Sequence, residues 1–142
     1  MQCSELLKTD VACSNAKTSA RQIAELMRDR NVGFVPICDD KGAVIGTVTD
    51  RDLAMRVLAG KKDPESTKAS DVMTTGVVTC KADETLADVE QLMSKHKVSR
   101  IVVVDERGAP IGVISLSDVA TVETGGKSSA VLRSVSQREA RP

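Results

Sequence analysis

The sequence predicts an α+β chain built from two tandem βαββα units packed about a pseudo-twofold axis. Three observations predict it. The chain repeats itself at an offset of 66 residues, each copy alternates strand-length apolar runs with segments of helical period, and 142 residues leave room for one compact domain or two very small ones.

Residues 4–55 slide onto residues 70–121 without a gap. Asp39, Gly42, Ala43, Ile45, Gly46, Asp52 and Ala54 fall on Asp105, Gly108, Ala109, Ile111, Gly112, Asp118 and Ala120. Ser4, Val11, Leu26 and Met27 likewise meet Ser70, Val77, Leu92 and Met93, so the repeat spans whole units. A copy of roughly 60 residues buries too little surface to be comfortably stable alone, so the two are expected to pack face to face.

The elements follow in order. Val11 to Ser14 and Val77 to Cys80 read as short extended segments. Ala20, Ile23, Ala24 and Met27 stand at i, i+3, i+4 and i+7, and Leu86, Val89 and Met93 repeat that face; Thr18 and Asp83 are the expected N-caps. Val35 to Cys38 and Ile101 to Val104 have the length and composition of buried strands. Asp39-Asp40-Lys41-Gly42 and Asp105-Glu106-Arg107-Gly108 are turn chemistry, leading into return strands Val44 to Thr49 and Pro110 to Ser115. A helix from Asp50 to Ala59, stopped at Gly60, closes the first copy. The resulting organisation is a first repeat over 1–60, a linker over 61–69, a second repeat over 70–123 and a tail over 124–142, either disordered or with a short helix at Ala130, Val131, Leu132 and Val135.

Composition narrows the function. Twenty Lys plus Arg balance twenty Asp plus Glu, so no long-range field gathers polyanions. With one Phe and neither Tyr nor Trp there is no platform for stacking single-stranded bases. Nucleic acid is therefore not an expected partner. Cys3, Cys13, Cys38 and Cys80 form no C-x-x-C pair and His96 is the single histidine, so no metal site is expected. His96 itself reads as a helix-end or exposed residue rather than a catalytic one. No apolar stretch approaches the roughly 18 residues of a membrane span, and no leader pattern opens the chain, so a cytoplasmic protein with reduced thiols and no membrane partner is expected. Met1 begins almost at the first repeat, which favours a free-standing module over a fragment of a larger enzyme.

One constellation closes both copies: Gly46, Thr49, Asp52 and Gly112, Ser115, Asp118, that is glycine, a hydroxyl at +3 and a carboxylate at +6. At a strand-to-helix junction the hydroxyl lies where free N–H groups favour an anion, the glycine allows close approach to the backbone, and the carboxylate can accept two ribose hydroxyls. The same spacing is that of a capping box, in which both side chains satisfy the helix's own N–H groups. Spacing alone leaves both readings open.

The strings Ile45-Gly46-Thr47-Val48-Thr49-Asp50-Arg51-Asp52-Leu53 and Ile111-Gly112-Val113-Ile114-Ser115-Leu116-Ser117-Asp118-Val119 resemble the closing motif of cystathionine-β-synthase (CBS) domains. Ser70-Asp71-Val72-Met73-Thr74, Val35-Pro36-Ile37-Cys38-Asp39 and Ile101-Val102-Val103-Val104-Asp105 extend the likeness, so the chain from Ser4 to about Glu123 resembles a tandem CBS pair (a Bateman module), most like the small stand-alone bacterial pairs. The resemblance implies a regulatory, signal-transducing module binding adenosine-containing ligands: AMP, ADP, ATP or S-adenosylmethionine. It implies no catalytic cofactor and no enzymatic activity, and it suggests a homodimer acting on an unidentified protein effector. The first cleft would use Asp52 on the ribose, Thr49 and Arg51 at the phosphate, backbone near Val78 at the adenine edge, and Val98, Ser99 and Arg100. The second would use Asp118, Ser115 and Ser117 with Ala12 and the Val32-Gly33-Phe34 turn. Gly33 and Phe34 replace Ser99 and Arg100 there, so the Asp52 cleft is expected to bind more tightly. The alternative is a CBS-pair scaffold with weak or vestigial ligand sites.

Overall fold

Short apolar runs separated by amphipathic segments long enough to cross over a sheet require parallel pairing across each helix and antiparallel pairing across each tight turn. In the computed structural model, which describes residues 1–6 and 11–124, a 3-10 turn at Cys3–Glu5 precedes β1 (Ser14–Asn15), α1 (Ala20–Arg30), β2 (Phe34–Cys38), β3 (Val44–Thr49), α2 (Asp50–Asp52, continued as a π-helix over Leu53–Leu58), α3 (Ala69–Val72), β4 (Thr79–Lys81), α4 (Leu86–His96), β5 (Arg100–Val104), β6 (Pro110–Ser115) and α5 (Leu116–Thr124). Strands β1, β2 and β3 form one three-stranded sheet, the first pair parallel and the second antiparallel; β4, β5 and β6 repeat it. Val35 lies opposite Val48 and Ile101 opposite Ile114, and both hairpins carry an irregularity at the same point, Ile37/Cys38 and Val103/Val104. The expected mixed α+β fold and both return strands are as observed. The tail over residues 125–142 lies outside the described residues.

The turns repeat to the hydrogen bond. One carboxylate oxygen of Asp39 accepts the N–H groups of Lys41 and Ala43 at 2.9 and 3.0 Å, and Asp105 does the same for Arg107 and Ala109. Those two bonds hold the Asp105 carboxyl below the usual carboxylate range.

Several boundaries differ from the expectation. Ser19, not Thr18, caps α1, because its Oγ accepts the Gln22 N–H while Gln22 Oε1 accepts the Ser19 N–H, both at 3.1 Å; Thr18 Oγ1 instead accepts the Asn15 N–H. Thr85, not Asp83, caps α4 through the equivalent exchange with Asp88. The extended segments are regular only over Ser14–Asn15 and Thr79–Lys81. Ala24 is exposed rather than buried with Ala20, Ile23 and Met27. Gly60 is not the left-handed stop; that conformation belongs to Lys61, at φ 55°. A side chain at position 60 would instead come within 2.6 Å of the Arg56 carbonyl oxygen, so the glycine serves the tight close of the π-helix. His96 ends α4 and is exposed, as expected.

The compact units are not the two sequence copies. Among the described residues one unit contains 12–77 and the other contains 1–6, Val11 and 78–124. In the second of these, Cys3 and Ser4 donate their N–H groups to the carbonyls of Glu84 and Ala82, and the Cys3 side chain is fully buried among Cys80, Val89, Met93, Ile101, Val103, Ile114 and Val119. In the first, the stretch expected to be linker docks on α1: Ala20 N–H donates to the Thr67 carbonyl, Ala69 N–H to Thr18, and Ser70 N–H to Ala16. Ala69 and Val72 then join Ile23, Val35, Ile37, Val48 and Val57 in the core. The physical reason is apolar: Ala69 and Val72 bury completely only against a hairpin, and the nearest in sequence precedes them.

Past α3 the chain reaches the open edge of β3, where Thr74 and Thr47 exchange backbone hydrogen bonds at 2.9 and 3.0 Å. Met73 lies over Gly46, so that a Cβ there would stand 2.6 Å from the Met73 Sδ and 3.1 Å from the Thr74 carbonyl oxygen. Gly46→Ala is therefore expected to lower stability by about 1–3 kcal/mol, read as a fall in the urea midpoint at unchanged slope. Adding Met73→Ala should recover part of that loss; a purely additive double variant would show that the Thr74 backbone is the whole obstacle.

Candidate functional site

Thr49 ends β3 and Ser115 ends β6, so each hydroxyl stands where a strand turns directly into a helix with no intervening loop. At the first junction Thr49 Oγ1 accepts the Asp52 N–H at 3.1 Å and Asp52 Oδ2 accepts the Thr49 N–H at 2.9 Å. At the second, Ser115 Oγ accepts the Asp118 N–H at 3.2 Å and Asp118 Oδ2 accepts the Ser115 N–H at 2.9 Å. The capping reading of the repeated constellation is realised in both copies. It does not use up either group. An ionised carboxylate offers about four acceptor positions, and a hydroxyl that accepts one bond still has its own proton to donate.

The two junctions differ in what else they hold. Asp52 Oδ1 faces the Arg56 guanidinium at 3.8 Å, and Arg56 also donates to the Val72 carbonyl at 2.7 Å, so a cation is fixed beside the first carboxylate. The Asp52 side chain is only 14% exposed. Arg56 was not among the expected site residues, although its i+4 spacing from Asp52 on one helix is the signal that could have found it. The matching position in the second copy is Val122. There the hydroxyls of Ser115 and Ser117 bond each other at 2.8 Å. Arg51 is exposed, its N–H donating to the Asp50 carboxylate at 2.8 Å.

Gly46 departs from its expected part. Met73 fills the space above it, so the glycine serves the docking of residues 73–74 and not the approach of a ligand.

Each unit collects a distinct subset of the expected site residues at one end of its sheet. In the 12–77 unit, half-buried Phe34 opens β2 directly opposite Thr49, the Gly33 carbonyl accepts the Asp50 N–H at 3.0 Å, the Val32 N–H donates to Met27, and Ala12 lies just before β1. In the other unit Arg100 opens β5 opposite Ser115, the Ser99 carbonyl accepts the Leu116 N–H at 2.7 Å, the Val98 N–H donates to Met93, and the Val78 carbonyl accepts the Val102 N–H. Thus Thr49, Arg51 and Asp52 share an end with Ala12, Val32, Gly33 and Phe34, while Ser115, Ser117 and Asp118 share one with Val78, Val98, Ser99 and Arg100. Ser99 and Arg100 are exposed.

Among the described residues no three His, Cys, Asp or Glu side chains gather in a way that could hold a metal ion, and no helix is long and apolar enough to cross a membrane.

The CBS domain family model matches residues 3–59 and 69–125. The chain is 32% identical over 119 residues to the uncharacterized protein MK0525 of Methanopyrus kandleri, covering 84% of this chain and 61% of that protein. It is 32% identical over 124 residues to the CBS domain-containing protein YhcV of Bacillus subtilis, covering 87% of this chain and 86% of YhcV. Among solved structures it is similar to the CBS domain pair of protein MJ0100 in complex with 5′-methylthioadenosine and S-adenosyl-L-methionine, at 25% identity and TM-score 0.76, covering 86% of this chain and 98% of that one. Two complete repeats, each with its own three-stranded sheet and its own hydroxyl–carboxylate junction, place this chain in the CBS domain family as a tandem pair.

Proposed function

We propose that this chain is a regulatory module that binds an adenosine-containing small molecule and passes its occupancy on as a change in conformation or assembly. The observation that carries the reading is the carboxylate fixed at the strand-to-helix junction of both repeats. Asp52 and Asp118 are each locked in one rotamer by a backbone N–H, so accepting a ribose diol costs little further side-chain entropy. The complex of the MJ0100 pair with methylthioadenosine and S-adenosylmethionine supports the ligand class, since both contain an adenosine.

In this reading the ribose hydroxyls donate to Asp52. The Thr49 hydroxyl, which accepts its capping bond from Asp52 N–H, turns its proton toward a phosphate or other anionic group. Arg51 and Arg100 supply guanidinium forks to the same group, and the backbone near Val78, with Val98 and Ser99, meets the base. Ala12, Val32, Gly33, Phe34, Ser115, Ser117 and Asp118 are assigned a second, weaker ligand. Its weakness follows from chemistry: the hydrogen bond between Ser115 and Ser117 takes up one of their two hydroxyl protons, and Gly33 and Phe34 offer no charge. The ligand is AMP, ADP, ATP or S-adenosylmethionine, bound without being turned over. A ligand that favours one conformation shifts the population by its differential affinity and by nothing else.

A second reading, that the chain serves mainly as an assembly scaffold, is favoured by a different feature. An open groove of about 650 Å³ in the 12–77 unit is lined by Ala20, Ala24, Leu53, Val57, Leu58 and Pro64 together with the charged Arg21, Lys61, Lys62 and Asp63, and Met55 and Leu58 are 55% and 79% exposed. Exposed apolar side chains beside a groove with an apolar floor and charged residues in its lining mark a surface suited to another chain.

Thermal shift separates the readings. Saturating AMP, ADP, ATP or S-adenosylmethionine is expected to raise the Tm of the purified chain, by the equivalent of about 2.7 kcal/mol at a hundredfold excess over Kd. Asp52→Ala should abolish most of the shift, and Asp118→Ala a smaller part. Both variants also lose a helix cap worth about 0.5–2 kcal/mol, so Asp88→Ala is the matched control. It breaks the equivalent capping box at Thr85 and should lower the Tm while leaving the ligand-induced rise intact. A flat response to every adenosine compound, with sedimentation showing the same assembly in wild type and in Asp52→Ala plus Asp118→Ala, would instead establish the scaffold. Arg100→Ala should weaken phosphate-bearing ligands at least about tenfold while leaving methylthioadenosine unaffected; equal loss for both would remove Arg100 from the phosphate.

A further inference from the structure

One side chain touches both the candidate site and a segment that completes the core of the same unit. Arg56 brings Nη2 to 3.8 Å from Asp52 Oδ1 and donates from Nη1 to the Val72 carbonyl at 2.7 Å. Val72 is the last residue of α3, and a helix leaves its final carbonyls without partners in its own ladder. Its side chain is buried in the same core as Val57. Met73 and Thr74 follow at once, the first lying over Gly46 and the second pairing with Thr47. We propose that Arg56 is a positioning residue that makes the docking of residues 72–74 depend on the charge of Asp52.

A guanidinium can serve two acceptors at once because its N–H groups lie in a rigid fork. The bond to Val72 is direct, whereas the 3.8 Å to Asp52 is Coulombic attraction across a partly exposed contact. That attraction biases where a long, flexible side chain rests, and so lowers the rotamer entropy that the Val72 bond must overcome. Asp52 Oδ2 accepts the Thr49 N–H, so the oxygen facing Arg56 is the one that the cap leaves. Whatever satisfies or neutralises that oxygen weakens the hold on Arg56, and the Val72 carbonyl loses part of its donor. In the proposed function the ribose hydroxyls act in this way, so that occupancy at Asp52 would loosen residues 72–74. That consequence rests on the ligand reading; the coupling itself does not. Coupling of this kind is reciprocal, so firmer docking of residues 72–74 also holds Arg56 beside Asp52.

The second copy supplies the comparison. Val122 stands where the first copy has Arg56, and residues 1–6 dock on that unit through the Cys3 and Ser4 N–H groups, bonded to the Glu84 and Ala82 carbonyls. With a valine at that position, no guanidinium there links Asp118 to the docked segment.

The test is amide hydrogen exchange on the full chain, without any nucleotide present. The Thr74 and Thr47 N–H groups, bonded to each other's carbonyls, report the docking; the Ile23 N–H, bonded to Ser19, is the reference for opening of α1. Asp52→Asn keeps an oxygen for the cap and removes the charge. It should speed exchange at Thr74 and Thr47, relative to Ile23, about two- to fivefold. Arg56→Met also loses the Val72 bond and should speed it at least about tenfold, and adding Asp52→Asn to that variant should change nothing further. Arg56→Lys should fall between wild type and Arg56→Met, because an ammonium keeps the charge but not the fork. Asp118→Asn should leave Cys3 and Ser4 unchanged relative to Val89, whose N–H bonds Thr85. A partly exposed pair is screened by salt, so about 1 M salt should reproduce the Asp52→Asn effect in the wild type and leave Arg56→Met unmoved, which keeps the test decisive should Asp52→Asn not fold. No change at Thr74 in Asp52→Asn, an Asp52→Asn effect that persists without Arg56, or an equal response of Cys3 and Ser4 to Asp118→Asn would each overturn the proposal. A flat thermal shift with adenosine compounds bears on the ligand reading alone and leaves this coupling standing.

Discussion

A hydroxyl and a side-chain carbonyl three residues apart, each bonded to the other's backbone N–H, begin the helices that follow Ser19, Thr49, Thr85 and Ser115. That reciprocal bond lets a strand become a helix with no loop between them. At Thr49 and Ser115 the strand's last residue is also the helix's cap, which leaves no room for either the sheet end or the helix start to shift alone. The side chains at these junctions are accordingly held by reciprocal bonds to the backbone. The proposed recognition of a ligand draws on groups that the folding requirement has already fixed. A carboxylate that caps with one oxygen is held in one orientation while its remaining lone pairs stay able to accept.

The second organising constraint is that neither sequence copy completes its own core. Cys3 closes the core over Cys80, Val89 and Ile101, while Ala69 and Val72 close the other over Ile23, Val35 and Val57. Each leading segment therefore serves the hairpin that does not follow it in sequence. The consequence for Gly46 is concrete. Its lack of a side chain, which in isolation suggests room for a ligand, is spent on Met73 and Thr74.

Much of this was legible in the residues. The repeat, the two hairpins and the return strands followed from identity at one offset and from apolar runs bounded by Asp-Gly turns, because these signals are local and both copies carry them. The N-caps were misplaced by one and two residues because Thr18, Ser19, Asp83 and Thr85 are all competent caps, and only the partner at N3, Gln22 or Asp88, decides among them. The partner exchange of residues 61–77 was not legible. A Pro-containing charged stretch reads as linker whether it is solvated or docked, and the buried carbonyl of Thr67 that receives Ala20 N–H leaves no trace in sequence. Exposure of Ala24 escaped for a related reason: helical period identifies a face, but how far a neighbour covers it is a tertiary matter.

Divergence between the copies bears most directly on function. Duplication made the junctions alike, yet the first keeps Arg56 within 3.8 Å of Asp52 and the second carries Val122 at that position. A half-exposed arginine at this distance adds no more than about 1 kcal/mol to stability, so its value lies elsewhere. It faces the carboxylate oxygen that the cap does not use and offsets part of its charge. The second junction has no such cation on its own helix at that spacing, and its two serine hydroxyls are turned to each other. Two junctions built on the same motif thus differ in what stands four residues beyond the carboxylate, a guanidinium at 3.8 Å in the first copy and an apolar side chain in the second.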